Sequence, residues 1–219
     1  MPARNAPEDC GILCTQTSAL GYTQESEDGF GGMTPKERRP WRPTREQLAM
    51  AAGKTVPDIV APGLKVLFCG INPGLYSGAV GHHFARPGNR FWPALYGAGF
   101  TDRLLSPFEE LELLRFGLGI TNLVARATAT ADELTREEFM KGAKRVREQA
   151  ERYRPGYVGF LGIGAYRAAF GRSSARVGRQ DETLGGSGVW VLPNPSGLNA
   201  NYQLPDFIRA FSMLRFFID

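Results

Sequence analysis

The chain has 219 residues, of which 42% are hydrophobic and 22% charged, and its formal net charge is +4. That composition supports a single domain with a sizeable core, or one domain with a loose arm, and the mild basic balance fits a polyanion partner without demanding one. Three cysteines, Cys10, Cys14 and Cys69, exclude a disulfide framework and fit a reducing interior, and no stretch reaches the ~20 apolar residues of a membrane span.

Residues 1–55 read as a flexible basic arm, mostly disordered and rich in Gly, Pro, Thr, Glu and Arg. The start of the chain lacks the apolar core of a signal peptide, so the cytoplasm is the expected location. Cys10 and Cys14 read as plain thiols, because no further ligands stand near them to complete a metal site. The basic segment Lys36 to Arg45 suits a phosphate backbone or a solvated linker. Thr44 caps a short helix, Arg45 to Ala52, ended by Gly53.

From residue 56 to 219 strands and helices alternate. Leu64 to Cys69 is a short apolar run ending in Gly70, hence a buried strand. A long Gly-rich loop spans Ile71 to Asn89. Arg90 to Ala98 is helical, with Phe91, Leu95 and Trp92 inward. Pro107 to Arg115 is a second helix, with its proline in the first turn. Ile120 to Val124 is a strand. Thr135 and Glu138 form a capping box for a helix reaching Tyr153. Tyr157 to Leu161 is a strand, Ala165 to Phe170 a helix, and Val189 to Leu192 a strand. Leu204 to Phe217 is a helix with Phe207, Phe211 and Leu214 inward. This alternation predicts an α/β fold with a mainly parallel sheet covered on both faces.

In open parallel sheets the site forms beyond the carboxyl ends of the strands. Two loops there share one design: Gly70-Ile-Asn-Pro-Gly74 and Asn194-Pro-Ser-Gly-Leu198. One Asn-Pro-x-Gly turn is common; two on matching strand ends predict a shared mouth. Glycines allow close approach to a ligand, prolines stiffen the turns, and Asn72 and Asn194 become preorganised amides. Between them, Gly81 to Trp92 places an aromatic, cations and glycines on one loop. Arginines there can meet phosphates, and Phe84 can stack on a base, while Trp92 reads as core.

These pieces (GINPGL at 70–75, GHHF at 81–84, GNRFW at 88–92 and LPNPSGL at 192–198) resemble the mismatch-specific uracil-DNA and thymine-DNA glycosylase family over about residues 57–217. The resemblance implies a three-layer α/β/α sandwich and a monomeric, monofunctional glycosylase with no cofactor or metal, acting on double-stranded DNA with a mispaired or damaged pyrimidine. It implies that Asn72 positions a water and that Phe84 stacks on the flipped base. Ile71, Gly74, Ser77 and His83 fall at the base pocket. Asn194, Ser196, Gly197, Leu198 and Asn199 fall on the loop that fills the vacated stack and faces the opposite guanine. His82 and His83 look like the thymine-DNA glycosylase branch. Two departures stand out: Ala200, where the family often has Arg, and Ala125, where it commonly has a carboxylate. If that acid assists the water, this chain is slow. Asp102 and Asp132 read as solvated surface acids.

Two other classes fit parts of the pattern. A non-catalytic nucleotide or damaged-DNA binding module would use the same loops. A dinucleotide-dependent oxidoreductase would use Gly162-Ile-Gly164, but the third glycine of that fingerprint is Arg167 here.

Overall fold

Four apolar segments pair in parallel to make most of one five-stranded sheet, in the order β2-β1-β3-β5-β4. They are β1 (Val66–Gly70), β2 (Leu118–Asn122), β3 (Tyr157–Leu161) and β5 (Ser187–Leu192); β4 (Gly178–Leu184) runs antiparallel at the edge. The computed structural model describes residues 42–218. The expectations for Cys10, Cys14 and the rest of the arm up to Trp41 lie outside the described residues.

Both faces of the sheet are covered. Helices α3 (Phe91–Gly97) and α6 (Leu204–Ile218) pack on one face through Phe91, Leu95, Phe207, Phe211 and Leu214, all buried against Phe68 and Ile120. Helices α4 (Arg136–Tyr153) and α5 (Ile163–Phe170) pack on the other through Val146, Ala150 and Tyr166, against Val158 and Val191. Burial on two sides explains why these strands carry apolar side chains almost throughout. The predicted three-layer α/β/α arrangement is what forms. Among the described residues no helix is long and apolar enough to cross a membrane.

The structure departs from expectation in four places. The stretch 71–89 is not all loop: α2 (Leu75–Val80) lies inside it, begun after Gly74 and ended by left-handed Gly81 (φ +77°). Gly78 lets that helix touch its neighbours, since a Cβ there would stand 2.7 Å from Ala127 Cβ. The stretch Pro107–Phe116 is 3₁₀ rather than α, kinked at Glu109. Strand β4 was not expected; its polar sequence GRQDETL, alternately half-buried and exposed, is that of a sheet edge. Finally, α1 (Arg45–Ala49) is shorter than read but carries the Thr44 capping box, and residues after it, counted with the arm on sequence grounds, join the folded unit. Ala51 is fully buried, and Thr55 bridges to Arg126.

Candidate active site

Because β1 and β5 are parallel and flank β3, the loops that follow them leave the same edge of the sheet. They border one cavity of about 470 Å3, within the usual size of ligand sites. Asn72 and Leu198 therefore share one mouth, as the two-turn argument requires. Ile71, Gly74, Ser77, His83, Phe84, Asn194, Ser196 and Asn199 line the same cavity. Gly197 stands just behind the rim, where a Cβ would come 2.9 Å from Gly88 O.

Asn72 has a fixed amide. Its Nδ2 donates to Thr128 Oγ1 (2.7 Å), Arg126 O (3.0 Å) and Pro73 O (3.1 Å). Thr128 Oγ1 spends its own proton on Thr130 O (2.7 Å), so it must accept from Asn72. With the NH2 group turned to these acceptors, Oδ1 has no protein partner among the described residues. The carbonyl oxygen can accept from a water at the cavity floor. Arg126 is itself held by Glu138, Nε to Oε1 at 2.5 Å, and that pairing, with the Thr135 amide, lowers the Glu138 carboxyl to about 2.

The far wall is built from Phe84, His83 and a residue the sequence argument missed. Phe84 adopts φ +52°, a left-handed conformation unfavourable for a bulky residue and typical of functional loops. One face of its ring stacks on Phe91 with centroids 4.2 Å apart, while the residue also lines the cavity. His83 N donates to Glu110 Oε2 (2.7 Å) and Ala85 N donates to buried Ser77 Oγ (3.1 Å). The Phe84 N–H between them has no protein acceptor among the described residues.

The missed residue is Asn122, at the end of β2 and 4% exposed. His83 Nε2 faces Pro57 O at 2.9 Å, so Nε2 carries the proton and Nδ1 accepts from Asn122 Nδ2 (3.3 Å). The Asn122 amide is thereby oriented, with Oδ1 beside Gly70: a Cβ on Gly70 would stand 2.4 Å from it. Nothing local in the sequence marks Asn122, because the groups around its amide are Gly70, its partner on β1, and His83, which Pro57 O holds in turn. Glu110, buried beneath His82 and His83, was equally invisible.

Burial pushes the His83 pKa below 6.5, its dominant cause being desolvation. The unfolded chain therefore binds more protons than the folded one just below pH 6.5, and stability falls as pH drops through that range. We expect the Tm of wild type to fall from pH 7 toward pH 5.5 more steeply than that of His83→Gln. Parallel Tm curves for the two proteins would remove His83 as the source. Burial likewise pushes the Cys69 thiol well above the ordinary thiol range, which leaves it no nucleophile.

The second loop is tied mostly to itself. Asn194 Oδ1 accepts from Ser196 N (3.1 Å), Ser196 Oγ accepts from Leu198 N (3.3 Å), and Asn199 Nδ2 donates to Asn194 O (2.9 Å). Asn199 Oδ1 also accepts from Asn201 N (3.1 Å), so its side chain maintains the loop's shape and makes a poor substitute for the Arg absent at Ala200. Leu198 is left 68% exposed at the rim.

Three other expectations change. Arg90 does not face outward to a phosphate: its guanidinium donates to the carbonyls of Ser196, Asn199 and Tyr202. Arg86 is the exposed arginine at the cavity. Asp132 is a surface acid, as read, but it also lines the mouth, beside Thr128 and Thr130. Ala125 is exposed and does not line the cavity, although the next carbonyl, Arg126 O, holds Asn72. Ala125→Asp is therefore expected to leave single-turnover base release unchanged; a clear acceleration would return a carboxylate to the mechanism.

The Gly162 turn is used for packing. A Cβ there would lie 3.2 Å from Ile71 Cδ1 and 3.6 Å from Asn194 Cβ, so the place a dinucleotide phosphate would need is filled by the two site loops. Among the described residues no group of three His, Cys, Asp or Glu could hold a metal ion.

The sheet, parallel but for its edge strand, carries two stiff Asn-Pro turns at its strand ends around one cavity, the place where open α/β sheets form their ligand sites. The chain belongs to the uracil DNA glycosylase superfamily, whose family model matches residues 57–215. Members of that superfamily are DNA glycosylases, hydrolases of DNA repair. Among solved structures, the chain is similar to a solution NMR structure of a candidate uracil DNA glycosylase from Methanosarcina acetivorans. The identity is 18% over 74% of this chain and 98% of that one, with a TM-score of 0.49.

Proposed function

We propose that this protein is a monofunctional, mismatch-specific glycosylase acting as a monomer in the cytoplasm. It flips uracil, and thymine or other damaged pyrimidines, out of guanine mispairs in double-stranded DNA and hydrolyses the bond to the sugar, leaving an abasic site. The observation that carries this reading is Asn72, whose NH2 is wholly engaged by protein while its Oδ1 faces a cavity walled by Phe84 and bordered by Leu198.

Extruding a base costs a few kcal/mol, less for a mispair. Leu198 is the apolar plug for the vacated stack, of the kind that wedges between base steps. Phe84 stacks on the extruded pyrimidine. Asn122, with its amide oriented by His83, presents Oδ1 to an imide N–H, which uracil has and cytosine lacks. A neutral amide such as Asn72 is no proton acceptor of consequence, so it orients water and the reaction is dissociative. The base leaves as an anion, steadied by the free Phe84 N–H, and water collects the oxocarbenium ion.

The test is incubation of the full chain with duplexes carrying one G·U, G·T or A·U pair, and with single-stranded uracil, followed by alkaline cleavage at abasic sites. Release from G·U above A·U supports the reading. Cleavage in none of them defeats it, and tight mispair binding without release would make the protein a non-catalytic binding module.

A further inference from the structure

Arg90 belongs to the GNRFW segment yet touches neither the cavity nor solvent in the way a phosphate contact would. Its Nη1 donates to Tyr202 O (2.6 Å), and its Nη2 donates to Asn199 O (2.8 Å) and to Ser196 O. Its backbone N–H donates to Pro195 O (2.9 Å). The guanidinium lies over the Phe207 ring, 4.9 Å from its centroid. Among the described residues no carboxylate pairs with Arg90, and its Nε is buried without a partner. A partly buried cation met by neutral carbonyls and one aromatic face, with no carboxylate to pair it, is a poor stabilising device, so its place here calls for another reason.

The reason lies in where those carbonyls are. Ser196, Asn199 and Tyr202 bracket Leu198, and the other side-chain bonds of the loop are made by Asn194, Ser196 and Asn199 themselves. The Arg90 backbone N–H, on Pro195 O, and the planar fork of its side chain together join this loop to the start of α3, and only the fork reaches the residues on either side of Leu198. The same turn gives Gly197 its seat, on Gly88, and leads back to Phe84. We infer that Arg90 is the positioning residue of the 194–202 loop: its guanidinium, through three loop carbonyls, holds exposed Leu198 in the conformation that enters the duplex. This rests on the glycosylase reading above. A loop already ordered before contact loses little entropy on insertion; a loosened one must be ordered during base extrusion. Single-stranded DNA has no stack to fill, so release from it does not draw on the loop. Lysine, a point charge without the planar fork, reaches fewer of the carbonyls.

Full-length Arg90→Met and Arg90→Lys are compared with wild type and Leu198→Ala on a G·U duplex and on the same uracil in single-stranded DNA. 2-Aminopurine beside the uracil reports extrusion, and amide hydrogen exchange reports residues 194–202. In Arg90→Met the duplex-to-single-strand ratio of single-turnover rates is expected to fall by about tenfold or more, with a weaker 2-aminopurine signal and faster exchange in the loop. Arg90→Lys recovers part of each, and carries the test if Arg90→Met does not fold. Arg90→Met adds little to Leu198→Ala. Equal losses on both substrates, the mark of a merely structural role, overturn the assignment, as does a loop protected as in wild type. Where wild type releases uracil from the duplex alone, the 2-aminopurine signal and the exchange rates decide, and wild-type values of both in Arg90→Met overturn the assignment. Wild type inactive on both substrates defeats the glycosylase reading instead, and the exchange measurement still decides whether Arg90 holds the loop.

Discussion

Asn72→Ala is expected to lower single-turnover release of uracil from a G·U duplex by about 10²–10³-fold while leaving mispair binding within about threefold. The asymmetry follows from geometry. Asn72 Nδ2 is committed to Thr128, Arg126 and Pro73, so the side chain offers DNA only its Oδ1. An oxygen that orients a water contributes to the step in which the glycosidic bond breaks and little to holding the duplex, for which the second loop and Arg86 are placed. Thr128→Ala is the milder companion: Nδ2 keeps two carbonyl acceptors but loses its shortest bond. Equal rates for Asn72→Ala and wild type would show that the water is positioned elsewhere and would direct attention to Asp132, the acid at the mouth.

A second large effect is expected from a single methyl group. Gly70→Ala places a Cβ 2.4 Å from Asn122 Oδ1 and 3.3 Å from Phe84 Cζ. β1 is buried along its whole length, so the backbone has little freedom to retreat. Overpacking of this kind costs about 1–3 kcal/mol of stability. It also pushes the Asn122 amide from its place against His83, and uracil release is expected to fall by about 10²-fold or more, the size seen when reacting groups are misplaced by about 1 Å. The double variant Gly70→Ala, Asn122→Ala separates the two effects. Removing the Asn122 side chain makes room for the methyl, so part of the stability returns while release remains low. Urea midpoints and single-turnover rates on the four members of the cycle check this. Strict additivity of the two stability losses would mean that the methyl meets its resistance from Phe84 and not from Asn122.

Much of the site was legible because it lies in chain-local motifs. Asn72 and the 194–199 loop each sit in a stretch whose glycines and prolines announce a stiff turn after an unmistakable apolar strand, and Phe84 sits in the glycine-rich stretch between them. The helix caps were legible for the same reason: Thr135 and Glu138 satisfy one another's neighbouring amides three residues apart. Asn122 was read as an ordinary strand residue because its importance comes from Pro57, Gly70 and His83, which are distant in sequence. Arg90 was read with the other arginine of the Gly81–Trp92 stretch as able to meet phosphates, because nothing in GNRFW says that three carbonyls from residues 196–202 will close around it. Strand β4 was missed because a polar edge strand has no apolar run to betray it.

The sequence by itself determined the alternation of strands and helices, the two faces that must be buried, and the turn chemistry that puts Asn72 and Asn194 at strand ends. Periodicity, capping and proline stiffness act over a few residues, so they can be read in one dimension. The tertiary structure alone decided which amide hydrogens and oxygens remain unspent. That depends on partners 54 residues away for Asn72 and Arg126, 39 for His83 and Asn122, and 106 for Arg90 and Ser196. Hydrogen-bond capacity is finite and directional, and only the folded arrangement settles which groups the protein uses on itself and which it leaves facing the cavity.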